Sequence, residues 1–484
     1  MSGQQDGEIT NAMIDKFLAT FLAEPKNKLA QNVVIKYDLN EVCMDYNEAQ
    51  TVNHAYNYRV PEVKPVTNQK ATGRCWIFAC LNAMRIPYMK QIQLEDFEFS
   101  QTYLFFWDKI ERINYFLYSY VKVFKTGEPA DGRLGSFLLS NPTEDGGQWD
   151  MLVNLINKYG VMPKKMFKDG FTAESSSKMN KLLKNKIREF AKKLNDMVQE
   201  KKTDKEINEE IASMMQVIHR ICSICLGTPP GTFTWEFYDK NKAYQKIGPI
   251  TPKEFYEKHV QSLFNVNDKL CFVNDPRPSN PYSKLYTVDY LGNMIGGRKT
   301  LYINQPISTM KQMAAASIKA GQAVWFGCDV DKHYHGKSGV LNLDQHDYAL
   351  VFDTTVKGLS KADRLIYGES LMTHAMVFTA VSIDESESAD DEKTENGIKT
   401  LKWRVENSWG EERGSKGYLM MTDEWFSEYV YEVVIDKEFV PEDLLAIMKQ
   451  TPIVLPAWDP MGALAGSSAA NHTQSTHVPH AKQF

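Results

Sequence analysis

Apolar positions fall at helical spacing in the first half of this chain and collect into short aromatic and β-branched runs in the second. Ile77, Leu81, Met84 and Tyr88 step by four, three and four residues, which puts them on one face of a helix starting at Cys75. Pro87 predicts the end of that helix or a kink in it. A second helix is expected from Trp149 to Lys158, entered from the Asp145-Gly146-Gly147 turn and closed by Gly160. From about Pro163 to Leu226 the chain becomes rich in Lys, Glu and Met. Leu183, Ile187, Phe190, Leu194 and Met197 form one stripe there. Thr203-Asp204-Lys205-Glu206 reads as a capping box opening a further helix, with Ile207, Ile211, Met214, Met215 and Ile218 as its apolar face. Together these stretches predict a helical hairpin.

Strands are expected at 323–327, 348–352, 376–381, 399–405 and 417–421. The acidic, serine-rich stretch 384–396 reads as a solvated loop. Residues 1–62 read as a helical start followed by an irregular arm, and the small, polar stretch from Gly462 onward as a flexible tail. No internal repeat is visible.

A length of 484 residues calls for a large or multi-part protein. Its 43% hydrophobic and 24% charged residues are ordinary for a globular chain. A net charge of -5 gives no support to whole-surface attraction to nucleic acid or anionic membrane. No run of about 18 apolar residues predicts a membrane span, and the acidic, amphipathic start lacks the apolar core of a secretory signal. Seven sparse cysteines make no disulfide framework. A cytoplasmic protein is the expectation, in which the sequon at Asn471 is a chance match.

Three segments carry candidate chemistry. Cys75 stands at the first turn of an apolar helix, where the helix dipole favours thiolate over thiol. His374 leads into an apolar strand. Asn407 is followed by Ser408 and by Trp409, a ring able to shield it from water. Taken singly, each has a structural explanation: a packed thiol, a structural histidine, a turn. The order Cys, His, Asn suits a nucleophile, its proton partner and a group that fixes the imidazole tautomer.

This order and the local wording resemble the papain family. Thr72-Gly73-Arg74-Cys75-Trp76 stands where that family's signature is C-G-[SA]-C-[WY]. Arg74, with Gln69-Lys70, the 145–151 phrase Asp-Gly-Gly-Gln-Trp-Asp-Met and the 455–465 phrase Leu-Pro-Ala-Trp-Asp-Pro-Met-Gly-Ala-Leu-Ala, resembles the bleomycin hydrolase branch, close to its fungal members. His374 lies 299 residues after Cys75, against about 130–150 in papain-like chains. Roughly 150 or more residues are therefore inserted, most of them after Gly147.

The resemblance implies an α+β fold with a two-lobed papain-like core. Its parts would be an N-terminal arm (1–62), a helical lobe with Cys75 (63–162), a mainly helical insertion (163–260), a β-rich lobe with His374 and Asn407 (261–455), and a C-terminal arm and tail (456–484). It implies Gln69 as oxyanion donor beside the Cys75 N–H, Trp76 and Trp409 as supporting rings, and Gly146 and Gly147 as the edge a substrate backbone pairs with. It implies a homohexamer whose C-terminal arm, at Leu464 and Ala465, lies in the cleft, so that a terminal carboxylate holds a substrate's α-amine. The activity implied is that of a thiol aminopeptidase without a cofactor or metal, acting on peptides and on small amides or thiolactones such as bleomycin and homocysteine thiolactone. Some members of the branch bind nucleic acid, which leaves a binding assembly with incidental peptidase activity as the alternative. One departure matters: this chain runs 19 residues past Ala465, so that residue has no carboxylate unless the tail is removed.

Other signals weigh less. Cys222 and Cys225 form a lone CxxC in an apolar helix and are expected in the core rather than on zinc. His333, His335 and His346 are expected in a surface loop, and the Lys-rich run 178–202 as a solvated helix face. His472, His477 and His480 carry no expected role.

Overall fold

The helix announced by the apolar steps spans Cys75–Ile92 in the computed structural model, which describes residues 7–385 and 398–466. It does not stop at Pro87. The ring removes one backbone donor, which usually costs a helix about 3 kcal/mol. Burial of this helix on nearly every side outweighs that loss. The end comes instead at Gln93, in a left-handed conformation (φ 55°), with its N–H returned to the Met89 carbonyl.

Around this helix is packed a helical lobe. Gln101–Lys125, capped by Ser100, is its longest member, and no sequence expectation covered it: aromatic residues on several faces blur the periodicity. Trp149–Tyr159 forms as expected and is closed at Gly160. The helical hairpin is also present, as Ser177–Gln199 and Asp204–Leu226. Both halves of the Thr203–Glu206 capping box are made. Leu183, Ile187 and Leu194 are buried, while Phe190 and Met197 lie half-buried at the edge. Cys222 packs in this core. Lys192 and Lys193 face outward in ion pairs with Asp196 and Glu210, as a solvated face should. A two-stranded hairpin, Phe233–Tyr238 with Tyr244–Ile250, follows inside the stretch expected to be mainly helical.

The second lobe is built on an antiparallel run of strands in the spatial order Lys269–Val273, Val430–Asp436, Val324–Cys328, His374–Ile383, Thr400–Glu406, Tyr418–Thr422. Four of the five expected strands are here. The fifth, 348–352, is a correction: Tyr348–Phe352 is a single helical turn. Asp347 accepts the Leu350 N–H at 2.8 Å, a side-chain cap that favours a helix start. Leu350 is 73% exposed, so no sheet neighbour draws the segment into a strand.

Two further corrections concern loops. His335 and His346 are buried rather than set in a surface loop. The tail reading fails for 462–466: Ala465 is fully buried and hydrogen-bonded, so the arm is fixed to this point. The acidic loop from 386 to 397 and the tail from 467, with its three histidines, lie outside the described residues. Among the described residues no helix is long and apolar enough to cross a membrane.

Candidate active site

Where the two lobes meet, the first turn of the Cys75–Ile92 helix faces the start of the His374–Ile383 strand. The Ala375 N–H donates to Cys75 Sγ at 3.4 Å, which sets the sulfur beside the residue next to His374. Trp325, from the neighbouring strand, donates its indole N–H to the Trp76 carbonyl at 3.2 Å and clamps the lobes just behind the thiol.

His374 is 1% exposed, and its Nε2 lies 2.9 Å from Asn407 Oδ1. The same Oδ1 accepts the Ser408 N–H at 2.7 Å, which identifies that atom as oxygen. Nε2 therefore carries the proton, leaving Nδ1 as the basic nitrogen. The Trp409 ring packs on the imidazole itself (centroids 4.7 Å apart) rather than covering only Asn407.

Gln69 is buried and held at both ends of its amide. Nε2 donates to the Thr72 carbonyl at 2.6 Å, and Oε1 accepts from Ser408 Oγ at 2.7 Å. Because Ser408 adjoins Asn407, one short polar chain joins the Gln69 strap to the triad turn. The backbone bonds Gln69 N to Ser408 O (2.8 Å) and Gly410 N to Thr67 O (3.0 Å) repeat that link.

Arg74, the residue foreign to the papain signature, is fully buried. It donates to Thr72 Oγ1 (3.0 Å), Thr102 Oγ1 (2.9 Å) and Asp169 Oδ1 (3.1 Å), and lies over the Phe78 and Phe105 rings. The long aromatic helix supplies Thr102 and the start of the insertion supplies Asp169, which explains how a guanidinium fits where a small residue is usual. Asp145, which the sequence shows as part of a turn and of the 145–151 phrase but with no role of its own, organises the approach to Cys75. Its carboxylate accepts from Lys109 (2.8 Å), Asn180 (2.7 Å), Ser176 and the Gly73 N–H (3.3 Å), and its carbonyl accepts the Trp76 indole N–H (2.7 Å). Burial alone would raise this carboxyl, but Lys109 and the hydroxyl and amide donors outweigh it and hold the group well below the usual carboxylate range. An acid flanked by glycine reads as a turn; a lone buried partner such as Lys109 on another helix leaves no local trace.

The chain's own arm crosses this cleft. The Gly147 N–H donates to the Ala465 carbonyl at 3.0 Å in an antiparallel bridge, and the Gly466 N–H donates to the Thr373 carbonyl at 2.7 Å. A Cβ on Gly146 would meet the Ala465 carbonyl oxygen at 2.6 Å, and one on Gly147 would enter the Trp76 ring, so both glycines are needed for this approach. Cys75 has no exposed surface here. Burial pushes its thiol up to about 12, against the pull of the Ala375, Trp76 and Cys75 N–H groups. The thiolate expected from the helix start is thus not favoured while the site is covered. Among the described residues no group of three or more His, Cys, Asp or Glu is placed to hold a metal ion.

A thiol on a buried helix start, an imidazole on a strand and an asparagine amide between two lobes define the papain-like class of cysteine peptidases. The chain belongs to the Peptidase C1-like family, whose profile matches residues 8–462. It is 57% identical to the bleomycin hydrolase of Mus musculus over 95% of this chain and 98% of that one. It is 57% identical to the bleomycin hydrolase of Homo sapiens over 92% and 96%. The aminopeptidase C of Lactococcus lactis subsp. cremoris shares 39% over 94% and 100%. Among solved structures, pepw from Lactobacillus rhamnosis HN001 aligns with a TM-score of 0.89 at 39% identity, covering 95% of this chain and all of the other.

Proposed function

We propose that this chain is a cysteine aminopeptidase of the bleomycin hydrolase type, with Cys75 as nucleophile, His374 as proton carrier, Asn407 as the group orienting it and Gln69 as an oxyanion donor. Cys75 Sγ attacks the carbonyl carbon while its proton passes to His374 Nδ1. The oxyanion is held by the Cys75 N–H and by the second Gln69 amide hydrogen, Thr72 having taken the first. Each such donor typically lowers the barrier by about 2.7–4 kcal/mol. The imidazolium then protonates the leaving amine, and a thioester remains. Water, giving its proton to His374, hydrolyses the thioester and restores the thiol.

The observation that carries the amino-terminal specificity is the register of the arm. Ala465 pairs with Gly147, and Gly466 occupies the next position, against Thr373. If the chain ends at Ala465, the space of one residue opens beside Cys75. An α-ammonium placed there would lie between the Ala465 carboxylate and the Thr373 carbonyl, two acceptors suited to a cation. A longer occupied subsite is excluded by Ala465 itself, so one residue is released at a time. Small amides and thiolactones with a free amine fit the same space.

This reading requires that residues 466–484 be removed. Intact-mass measurement of native protein is expected to give a chain ending at Ala465. A full-length chain that still cleaves free-amine peptides would contradict it. Uncovering also relieves the burial that raises the Cys75 thiol, so iodoacetamide is expected to alkylate Cys75 at least about tenfold faster in a chain ending at Ala465 than in one that retains its tail. Equal rates would contradict the covering role of the arm.

The same reading carries a homohexamer, for which light scattering is expected to return six times the 55.4 kDa chain mass less the tail. Work in the cytoplasm is supported by seven cysteines that are all unpaired.

A further inference from the structure

Behind the Thr373 carbonyl lies a chain of buried polar side chains that the mechanism above does not use. Asp329 follows directly on the Val324–Cys328 strand and is 4% exposed. Its Oδ2 accepts from Ser370 Oγ at 2.8 Å, and its Oδ1 from Thr373 Oγ1 at 3.3 Å. Tyr431 completes the row, donating its hydroxyl to Ser370 Oγ at 2.7 Å. The backbone is tied in as well, Thr373 N to Cys328 O at 2.9 Å and Asp329 N to Tyr429 O at 3.0 Å. The carboxylate thus grips both ends of segment 370–373. The last residue of that segment offers its carbonyl to the Gly466 N–H and leads directly into His374.

We propose that Asp329 is a positioning and specificity-determining residue for the free-amine end of the substrate, fixing the Thr373 carbonyl and adding negative charge behind it. The inference rests on the aminopeptidase reading. The carboxylate reaches the Thr373 side-chain hydroxyl, which it shares with the Cys328 carbonyl (3.4 Å). Its negative charge thus stands close behind a carbonyl that must accept from a cation, and that help is lost when the carboxylate takes up a proton.

The charge of Asp329 is set by its surroundings. Burial pushes the carboxyl up to about 6, with Asp331 adding to the rise, while Ser370, Lys332 and Thr373 oppose it. From the other elements, Tyr431 and Tyr429 face it, with Arg364 bound to Glu428 beyond them, and Lys332 is itself paired with Glu369 at 2.6 Å. Cys328, also buried, is close enough for Asp329 and Cys75 both to act on its thiol. Asp329 is therefore ionised above about pH 6 and neutral below it, so amine binding is present above that pH and fades as pH falls through it.

The test compares native protein with Asp329→Asn on an aminoacyl coumarin amide between pH 5 and 8, and measures Cys75 alkylation by iodoacetamide in parallel. For the native protein KM is expected to rise about tenfold between pH 7 and pH 5. In Asp329→Asn, KM is expected to be about tenfold raised already at pH 7 and flat with pH, with kcat within about threefold and the alkylation rate unchanged. Ser370→Ala and Thr373→Val, which keep the carboxylate but loosen its grip, are expected to raise KM less and to guard against a misfolded Asn variant. An Asn variant with native KM and the native acid limb overturns the proposal. So does a fall in alkylation that tracks KM, which would make Asp329 a fold residue only. A native protein that alkylates but does not hydrolyse at any pH defeats the aminopeptidase reading itself, a result distinct from either.

Discussion

Replacing His374 by alanine is expected to lower kcat/KM for a free-amine peptide substrate on the order of 10⁴-fold, or about 5.5 kcal/mol of barrier. The expectation follows from what surrounds Cys75. With the arm in place burial raises its thiol to about 12. Uncovering the site relieves that burial, but the groups that pull the thiol down are backbone N–H groups, none of which can take its proton. Without an imidazole, nothing beside the sulfur can take its proton at neutral pH or return one to the leaving amine. The ring is held by the Asn407 bond and the Trp409 face at the mouth of the cleft. The variant should therefore keep its far-UV spectrum and lose no more than a few degrees in melting temperature. Steady-state kinetics beside a melting curve checks both. A loss of less than about tenfold in a folded variant would take His374 out of the mechanism.

Asp145→Ala is expected to have the largest effect on stability, about 3–5 kcal/mol. Lys109 has no exposed side-chain surface, and its ammonium is satisfied by Asp145 at 2.8 Å and the Glu144 carbonyl at 2.7 Å. Removing the carboxylate leaves a buried cation with one neutral acceptor, and removes the partners of Ser176, Asn180 and the Gly73 N–H together. Because Gly73 stands two residues before Cys75, activity should fall along with stability. The pH dependence has a definite sign. The folded carboxyl lies well below its unfolded value near 4, so its contribution is complete above about pH 4 and drains away as pH falls further. The gap in stability between native protein and variant, read from denaturant melts, should therefore be narrower at pH 3 than at pH 6, and closes further only as pH falls toward the folded value. An equal gap at both pH values would contradict the assignment of the charge.

The residues that bear the chemistry were legible because each combines an unusual neighbour with a regular element. Cys75 opens an apolar stripe, His374 opens an apolar strand, and Asn407 is followed by Ser-Trp-Gly; the helix starts where expected and the two strands start within two residues of the expected position. The capping box at Thr203 was legible because its partners are three residues apart. Interactions that span the fold were not. The Asp145–Lys109 pair, the Arg74–Asp169 pair and the Asp329–Ser370–Thr373 row each join residues from different elements and leave no periodic mark. The helix Gln101–Lys125 was missed because its aromatic residues are buried on several sides. Alternation in Phe233-Thr-Trp-Glu-Phe could have announced the hairpin that the surrounding helical composition hid. Composition misled most at the arm. Small residues from Gly462 onward suggest flexibility, yet small residues are what a narrow cleft between Gly146, Gly147 and Gly73 admits.

The most direct measurement is hydrolysis of a matched pair of fluorogenic peptides, one with a free amino terminus and one blocked, by native protein and by Cys75→Ala. The account predicts cleavage of the free-amine peptide only, and none by the variant. Cleavage of the blocked peptide at a similar rate would leave a cysteine peptidase without amino-terminal selection. Activity that survives in Cys75→Ala would contradict the nucleophile and everything built on it.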